Sequence, residues 1–309
     1  MSKELVFGHQ KPDTDAIVAA KAFAYLQNKL GKDVEAVALG EPNAETVFAL
    51  NHFAEPMPRI IKAAKPEVDE VMLVDHNEPQ QSVSDLADVT VTDVVDHHRI
   101  NGFNTAQPLN YRAEAIGCTS TIITEMFIEE KIDIPVQLAG LMLSAIISDT
   151  LLLKSPTTTD KDREIARFLA QIADIDMESY GIDLLKAGTD LASKSDKELI
   201  DTDAKSYDLN GTNTRIAQIN TVDLNDVLSR EDGIKQAMSD EMASDNYQLF
   251  LVLATNVLDS NSELIVVGDH QDLVEKAFNT KLNNGQANLP GVVSRKKQLV
   301  PPLTETFNA

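Results

Sequence analysis

The stretch Gly8-His9-Gln10-Lys11-Pro12-Asp13-Thr14-Asp15 follows a short apolar run, Leu5-Val6-Phe7, and precedes Ala16-Ile17-Val18-Ala19-Ala20-Lys21-Ala22-Phe23, which is rich in helix formers. That order predicts a strand, a polar turn and a helix. In an open α/β sheet such a turn lies at the carboxyl edge of the strands, where ligands bind. Pro12 fixes its own φ and is expected to keep Lys11 extended. Asp13 and Asp15 alternate, so their carboxylates can reach different partners. A bland reading also exists, an Asp or Thr that only caps the helix. Recurrence of the same chemistry further along decides between the two.

Working outward, Val34–Ala38, Val71–Val74, Asp93–Val95 and Asn110–Arg112 read as further strands. Between and after them, 15–30, 43–53, 118–131, 135–147, 160–172 and 177–187 read as helices. Strands alternating with helices predict a doubly wound, mostly parallel sheet flanked by helices. The small polar segment Ala187-Gly188-Thr189-Asp190-Leu191-Ala192-Ser193-Lys194-Ser195 then reads as a linker. Beyond it the pattern restarts with strands 205–209 and 215–220 around Asn210-Gly211, a hairpin signal. Residues 223–243 read as a helix, 249–254 and 264–267 as strands and 271–279 as a helix. The expected organisation is an N-terminal α/β domain over 1–187, a hinge at 188–195 and a smaller mixed α/β domain over 196–309.

Composition narrows the class. Hydrophobic residues make up 43% of the chain, enough for a substantial core, and tryptophan is absent. The net charge of −22 disfavours nucleic acid and anionic membranes as partners. The single cysteine, Cys118, excludes an internal disulfide and suits a reducing, cytoplasmic setting. It lies in Gly117-Cys118-Thr119-Ser120 with no CxxC partner, and reads as a packed small side chain. The N-terminus shows no signal-peptide pattern, and the most apolar segment, Leu138 to Leu153, is broken by Ser144, Ser148 and Asp149.

The chemistry recurs in three more places: Asp75-His76-Asn77 after a strand, Asp96-His97-His98 after a strand, and Ser148-Asp149-Thr150 after an apolar helix. His9, His76, His97 and His98, out of six histidines in all, fall in these clusters. Imidazole and carboxylate without thiolate suit Mn²⁺, Mg²⁺ or Co²⁺ better than structural Zn²⁺. Several carboxylates in one crevice would repel each other, and two cations balance them better than one. A metal pair about 3.5–4 Å apart clamps phosphoryl oxygens and activates water. His76 reads as a structural residue, and Asp96 as either a ligand or a carboxylate orienting His97. Adjacent His97 and His98 point in different directions, so one serves a metal and the other a substrate. Near the C-terminus, Ser294-Arg295-Lys296-Lys297 concentrates cations in an acidic chain, and Lys205 opens the first strand after the linker.

Taken together, His9-x-x-x-Asp13-x-Asp15, Asp75-His76-Asn77, Asp96-His97-His98, Ser148-Asp149-Thr150 and Ser294-Arg295-Lys296-Lys297 resemble the family II inorganic pyrophosphatases of the DHH phosphoesterase superfamily. The resemblance spans the chain, and the Ser-Arg-Lys-Lys motif singles out the pyrophosphatases. It implies a cytoplasmic homodimer, paired through the N-terminal domain, that hydrolyses pyrophosphate to two orthophosphates with two Mn²⁺ or Co²⁺ per subunit and additional Mg²⁺ with the substrate. It implies one metal on His9, Asp13 and Asp75, and the other on Asp15, Asp75, His97 and Asp149. His98, Lys205, Arg295 and Lys296 would bind substrate, with His98, Asp15 and Asp75 in catalytic roles. The expected reaction is attack by a hydroxide held between the metals, with domains closing about Gly188 and Ser193. The chain is too short for the regulatory nucleotide-binding insertion of some members. The rival readings are another DHH phosphoesterase acting on oligonucleotides or short polyphosphates, and a non-catalytic metal-binding protein. No glycine-rich run after residue 195 supports the oligonucleotide reading.

Overall fold

Glu4–Phe7 form a buried strand, β1, inside the sheet of the N-terminal part of the chain. The computed structural model describes residues 3–309, in two units divided between Gly188 and Thr189. In the first unit, β1 is followed by α1 (Thr14–Lys29), β2 (Val34–Ala36), α2 (Ala44–His52), β3 (Glu70–Val74), β4 (Thr90–Asp96) and β5 (Asn110–Ala113). Four helices complete it: α3 (Thr119–Glu130), α4 (Val136–Thr150), α5 (Asp160–Ala173) and α6 (Met177–Thr189).

The strands lie in the order β2-β1-β3-β4-β5, and every pairing is parallel. Leu5, Val6 and Phe7 pair with Val71, Met72 and Leu73, so both faces of the central strands carry large apolar side chains. All six are fully buried, as expected for a sheet covered on both sides. The order in which successive strands are added reverses between β1 and β3, which opens a crevice beyond their carboxyl ends.

Helix α1 begins where Asp13 caps it, its Oδ1 accepting from Ala16 N at 3.0 Å. Lys11 is not extended: its φ is 53°. Gln10 is tied to the neighbouring loop through its N to Gln81 O (2.7 Å) and its Nε2 to Ser82 O (2.5 Å). The chain therefore turns sharply at Lys11 to deliver Asp13 to the cap, overriding the local preference of a residue before proline. Helix α6 continues to Thr189, which places Ala187 to Thr189 inside regular structure.

The second unit comprises α7 (Asp196–Asp201), β6 (Ala204–Leu209), β7 (Thr212–Thr221), α8 (Asn225–Leu228), α9 (Glu231–Asp245), β8 (Leu249–Asn256), β9 (Asn261–Gly268), α10 (Gln271–Phe278), β10 (Gln286–Pro290) and α11 (Val300–Phe307). Its sheet runs β10-β9-β8-β7-β6, parallel only between β7 and β8. Leu209 faces Thr212 across a two-residue turn in which Asn210 and Gly211 both have positive φ (52° and 87°). That geometry matches the twist of a hairpin and is why Asn-Gly occurs there. Side chains of α7 and α9 cover one face of the sheet, and those of α10 and α11 the other.

The single helix expected over 223–243 is split into α8 and α9. Arg230 breaks it, its guanidinium reaching Asp196 Oδ1 and the carbonyls of Leu191 and Lys194. Among the described residues, no helix is long and apolar enough to cross a membrane.

Candidate metal centre

The carboxyl ends of β1, β3 and β4 and the last turn of α4 bring together His9, Asp13, Asp15, Asp75, His97, His98 and Asp149. Three overlapping groups of their donor atoms lie within 4.8 Å of one another: His9–Asp13–Asp75, Asp15–His97–Asp149 and Asp75–His97–His98. Asp13, Asp75, His97, His98 and Asp149 line a cleft of about 540 Å³ in the first unit.

Two imidazoles are aimed by their own Nδ1 atoms. His9 Nδ1 lies 2.9 Å from Gln10 O, and His97 Nδ1 lies 3.0 Å from Ile116 O. A carbonyl only accepts, so each Nδ1 carries the proton and each Nε2 faces inward. His9 Nε2 sits 3.4 Å from Asp13 and 3.5 Å from Asp75, and His97 Nε2 sits 3.4 Å from Asp75. This is the arrangement by which proteins orient metal-ligating histidines.

The carboxylates are held just as closely. Asp75 follows β3 with φ 57°, a strained conformation for a non-glycine residue. Its N bonds Val95 O at 3.0 Å and its Oδ1 accepts from Thr119 Oγ1 at 3.0 Å. Asp15, in the first turn of α1, accepts from Thr119 N (2.7 Å), Ser120 N (3.1 Å) and Ser120 Oγ (2.5 Å) at the start of α3. Asp13 caps its helix with one oxygen and turns the other to His9. Capping and a site role therefore coexist in one side chain.

Electrostatics shows what the cluster lacks. Like charges about 5 Å apart repel by roughly 3 kcal/mol even at an effective dielectric of ~20. Burial, with the charge of Asp15, pushes the Asp75 carboxyl up to about 7. Burial, with the charges of Asp15 and Asp75, raises the Asp149 carboxyl well above its usual range. Burial disfavours charge on His9 and His97, but Asp13 and Asp75 beside His9, and Asp75 beside His97, outweigh it and raise both rings to about 9. The cluster thus holds protons tightly where divalent cations would compensate the same charge. Its oxygen and imidazole donors, inward lone pairs and uncompensated carboxylates fit divalent metal ions.

His98 differs from its neighbour. Its Nδ1 is 2.9 Å from Asp96 Oδ1 and 3.7 Å from Asp75, and half of its side chain is exposed. Asp96 therefore orients His98, whereas the Ile116 carbonyl takes that part for His97. The two rings do not diverge, since both turn toward Asp75 Oδ1. His76 is buried, with Nδ1 2.9 Å from Val74 O, and burial lowers its pKa to about 4. It belongs to none of the three groups. Cys118 is a fully buried free thiol whose pKa burial raises well above normal, so it is inert.

Lys205, Arg295 and Lys296 belong to the second unit. Lys205 is exposed on β6 and Lys296 is exposed in the wide turn before α11. Arg295 is buried, donating from one terminal nitrogen to Tyr207 Oη (2.9 Å) and from the other to Asp203 Oδ1 (2.7 Å). Its Nε has no hydrogen-bond partner among the described residues.

Residues 3–146 match the model of the DHH family, N-terminal domain, and residues 182–306 match the DHHA2 domain. A Lactiplantibacillus plantarum protein is 67% identical, with 100% of each chain covered, and an Enterococcus faecalis protein is 59% identical at the same coverage. Both carry the name probable manganese-dependent inorganic pyrophosphatase. The chain belongs to the manganese-dependent inorganic pyrophosphatase family. A crystal structure from Methanococcus jannaschii, assigned to family II inorganic pyrophosphatase, is similar at 38% identity and a TM-score of 0.61, covering 99% of this chain and 100% of that one. The parallel five-stranded sheet and the mixed second sheet are the two-domain α/β fold of this pyrophosphatase family.

Sequence reading alone passed over the residues that hold the site in shape. Thr119, Ser120 and the Ile116 carbonyl contact Asp75, Asp15 and His97. The small, hydroxyl-rich 117–120 turn opening a helix is their one signal in the sequence. Glu45 on α2 is buried, accepts from Thr14 Oγ1 at 2.8 Å and from the Ser148 hydroxyl, and so braces positions beside Asp13, Asp15 and Asp149.

Proposed function

We propose that this chain hydrolyses inorganic pyrophosphate to two orthophosphates with manganese. The observation that carries the reading is the sharing of Asp75 between two of the donor groups, His9–Asp13–Asp75 and Asp75–His97–His98, beside Asp15–His97–Asp149. His9, Asp13 and Asp75 would hold one cation, and Asp15, Asp75, His97 and Asp149 the other, with Co²⁺ as the alternative metal. When bound, the pair would supply an activated water and clamp phosphoryl oxygens. Names and full-length identity of the relatives support manganese and pyrophosphate over an oligonucleotide or polyphosphate substrate.

The chain's own residues do the rest. His98, held by Asp96 with its outer edge exposed, is placed to hydrogen-bond substrate and pass a proton to the leaving phosphate. Arg295 brings a fork of donors, and Lys205 and Lys296 bring point charges, to a polyanion that enters with Mg²⁺. The metal-binding residues precede residue 188 and these cations follow residue 195. The reading therefore assigns metal binding to 1–187, substrate binding to 196–309 and a hinge to 188–195 that lets the two parts close over pyrophosphate and exclude water. It also includes a cytoplasmic homodimer, paired through the N-terminal domain at an exposed strand edge of the first sheet.

The test is phosphate release from pyrophosphate, tripolyphosphate and a dinucleotide, each with Mn²⁺ or Mg²⁺. Pyrophosphate with Mn²⁺ should turn over fastest. Faster release from the dinucleotide or tripolyphosphate would reassign the substrate.

A further inference from the structure

Asp162, in the first turn of α5, is fully buried. Its charge is met by four donors: Gly117 N (2.9 Å) and Thr121 Oγ1 (2.7 Å) from one segment, and Thr159 N (2.8 Å) and Thr159 Oγ1 (2.7 Å) from its own cap. A buried carboxylate gripped by this many donors is held rigidly in place. The approach is close enough that a Cβ at Gly117 would lie 2.8 Å from Asp162 Oδ2. Only glycine fits there without displacing the carboxylate.

The segment gripped at both ends, 117–121, lies against the metal centre. Ile116, just before it, offers the carbonyl that aims His97. Thr119 and Ser120 supply the three donors to Asp15, and Thr119 Oγ1 is the donor to Asp75. None of the corresponding contacts reaches Asp13, and His9 is aimed by Gln10 instead. We infer that Asp162 is a positioning residue for one half of the centre: by clamping 117–121 it sets His97 and Asp15, and so governs the affinity of the cation they share with Asp149 more than that of the cation near His9 and Asp13. This inference rests on the two-metal reading above.

The test is Mn²⁺ titration of metal-stripped protein, with free Mn²⁺ read by electron paramagnetic resonance. Asp162→Asn keeps the shape but turns an amide toward donors, and is placed in the wild-type, His9→Ala and His97→Ala backgrounds. Loss of an orienting partner of a metal ligand typically costs about 10- to 100-fold in affinity. A loss of that size is expected when Asp162→Asn is added to His9→Ala, where the His97 side remains, and under about threefold when it is added to His97→Ala. Thr121→Val, which removes a single donor and nearly preserves volume, should give a smaller loss with the same asymmetry and serves if Asp162→Asn does not fold. Equal losses in both backgrounds, or unchanged affinities with only a lower melting temperature, overturn the inference. Wild-type protein that binds fewer than two Mn²⁺ overturns the two-metal reading and this inference together. Wild type binding two, with both variants unaffected, overturns this inference alone.

Discussion

Loading the stripped protein with Mn²⁺ should expel a countable number of protons. Burial opposes charge on His9 and His97, yet the neighbouring carboxylates raise both to about 9, and burial raises Asp75 to about 7. At about pH 7.5 a group with a pKa of 9 is ~97% protonated and one with a pKa of 7 roughly a quarter protonated. Each must give up its proton to bind a metal. The rings contribute nearly two protons, Asp75 a fraction of one, and Asp149, whose carboxyl is also raised, adds to them, so at least about two protons per subunit should appear on saturation. Two imidazoles at the ordinary 6.5 would release only about 0.2 at the same pH. The sign follows directly: with raised pKa values the metal competes with protons below about pH 9, so Mn²⁺ affinity should climb with pH and level off above it. Near neutrality, two protons per loading event mean up to ~100-fold in the overall binding constant for each pH unit. Calorimetric titration in two buffers of different ionisation enthalpy counts the protons. A count below about 0.5 would refute this account of the charge balance.

Asp75→Ala should lose bound Mn²⁺ together with activity, whereas Arg295→Ala should keep the metal and raise KM; equal metal content in Asp75→Ala and wild type after chelation and reloading would contradict the ligand assignment. Asp203→Asn removes the charge that holds one end of the Arg295 fork, and steady-state kinetics should show KM rising severalfold with kcat within about twofold. Leu73, fully buried on the strand that leads to Asp75, should cost about 2–5 kcal/mol as Leu73→Ala. That loss would appear in the denaturant midpoint of the transition that involves the first unit, and a shift of under ~1 kcal/mol would mean the core there relaxes freely.

Much of this was legible in the chain itself. Leu5–Phe7 and Val71–Val74 are short, apolar and bounded by polar turns, which is how strands buried on both faces read, and Asn210-Gly211 carries its hairpin in two residues. The clustering of His9, Asp13, Asp15, Asp75, His97 and Asp149 followed from their places at strand ends and at the end of one helix. What did not show was tertiary. The break between α8 and α9 arises because Arg230 seeks Asp196, more than thirty residues away in sequence. The positive φ of Lys11 comes from Gln10 being tied to Gln81 and Ser82. The orienting partners of His97 and His98 depend on which carbonyl or carboxylate the fold brings near each ring, and spacing alone pointed Asp96 to the wrong one. Asp162 and Glu45 were equally silent, since a buried carboxylate met by hydroxyls and amides looks in sequence like any acidic residue near a helix start.

Asp15 has another consequence. Both of its oxygens already accept from the opening turn of α3, so the carboxylate is satisfied by the polypeptide before any ion arrives. Chelation should therefore leave a protein that is inactive yet still folded, in contrast to small zinc domains that collapse when stripped. Ions can then leave and return without the scaffold being rebuilt, and identity of the occupant would follow supply as much as shape.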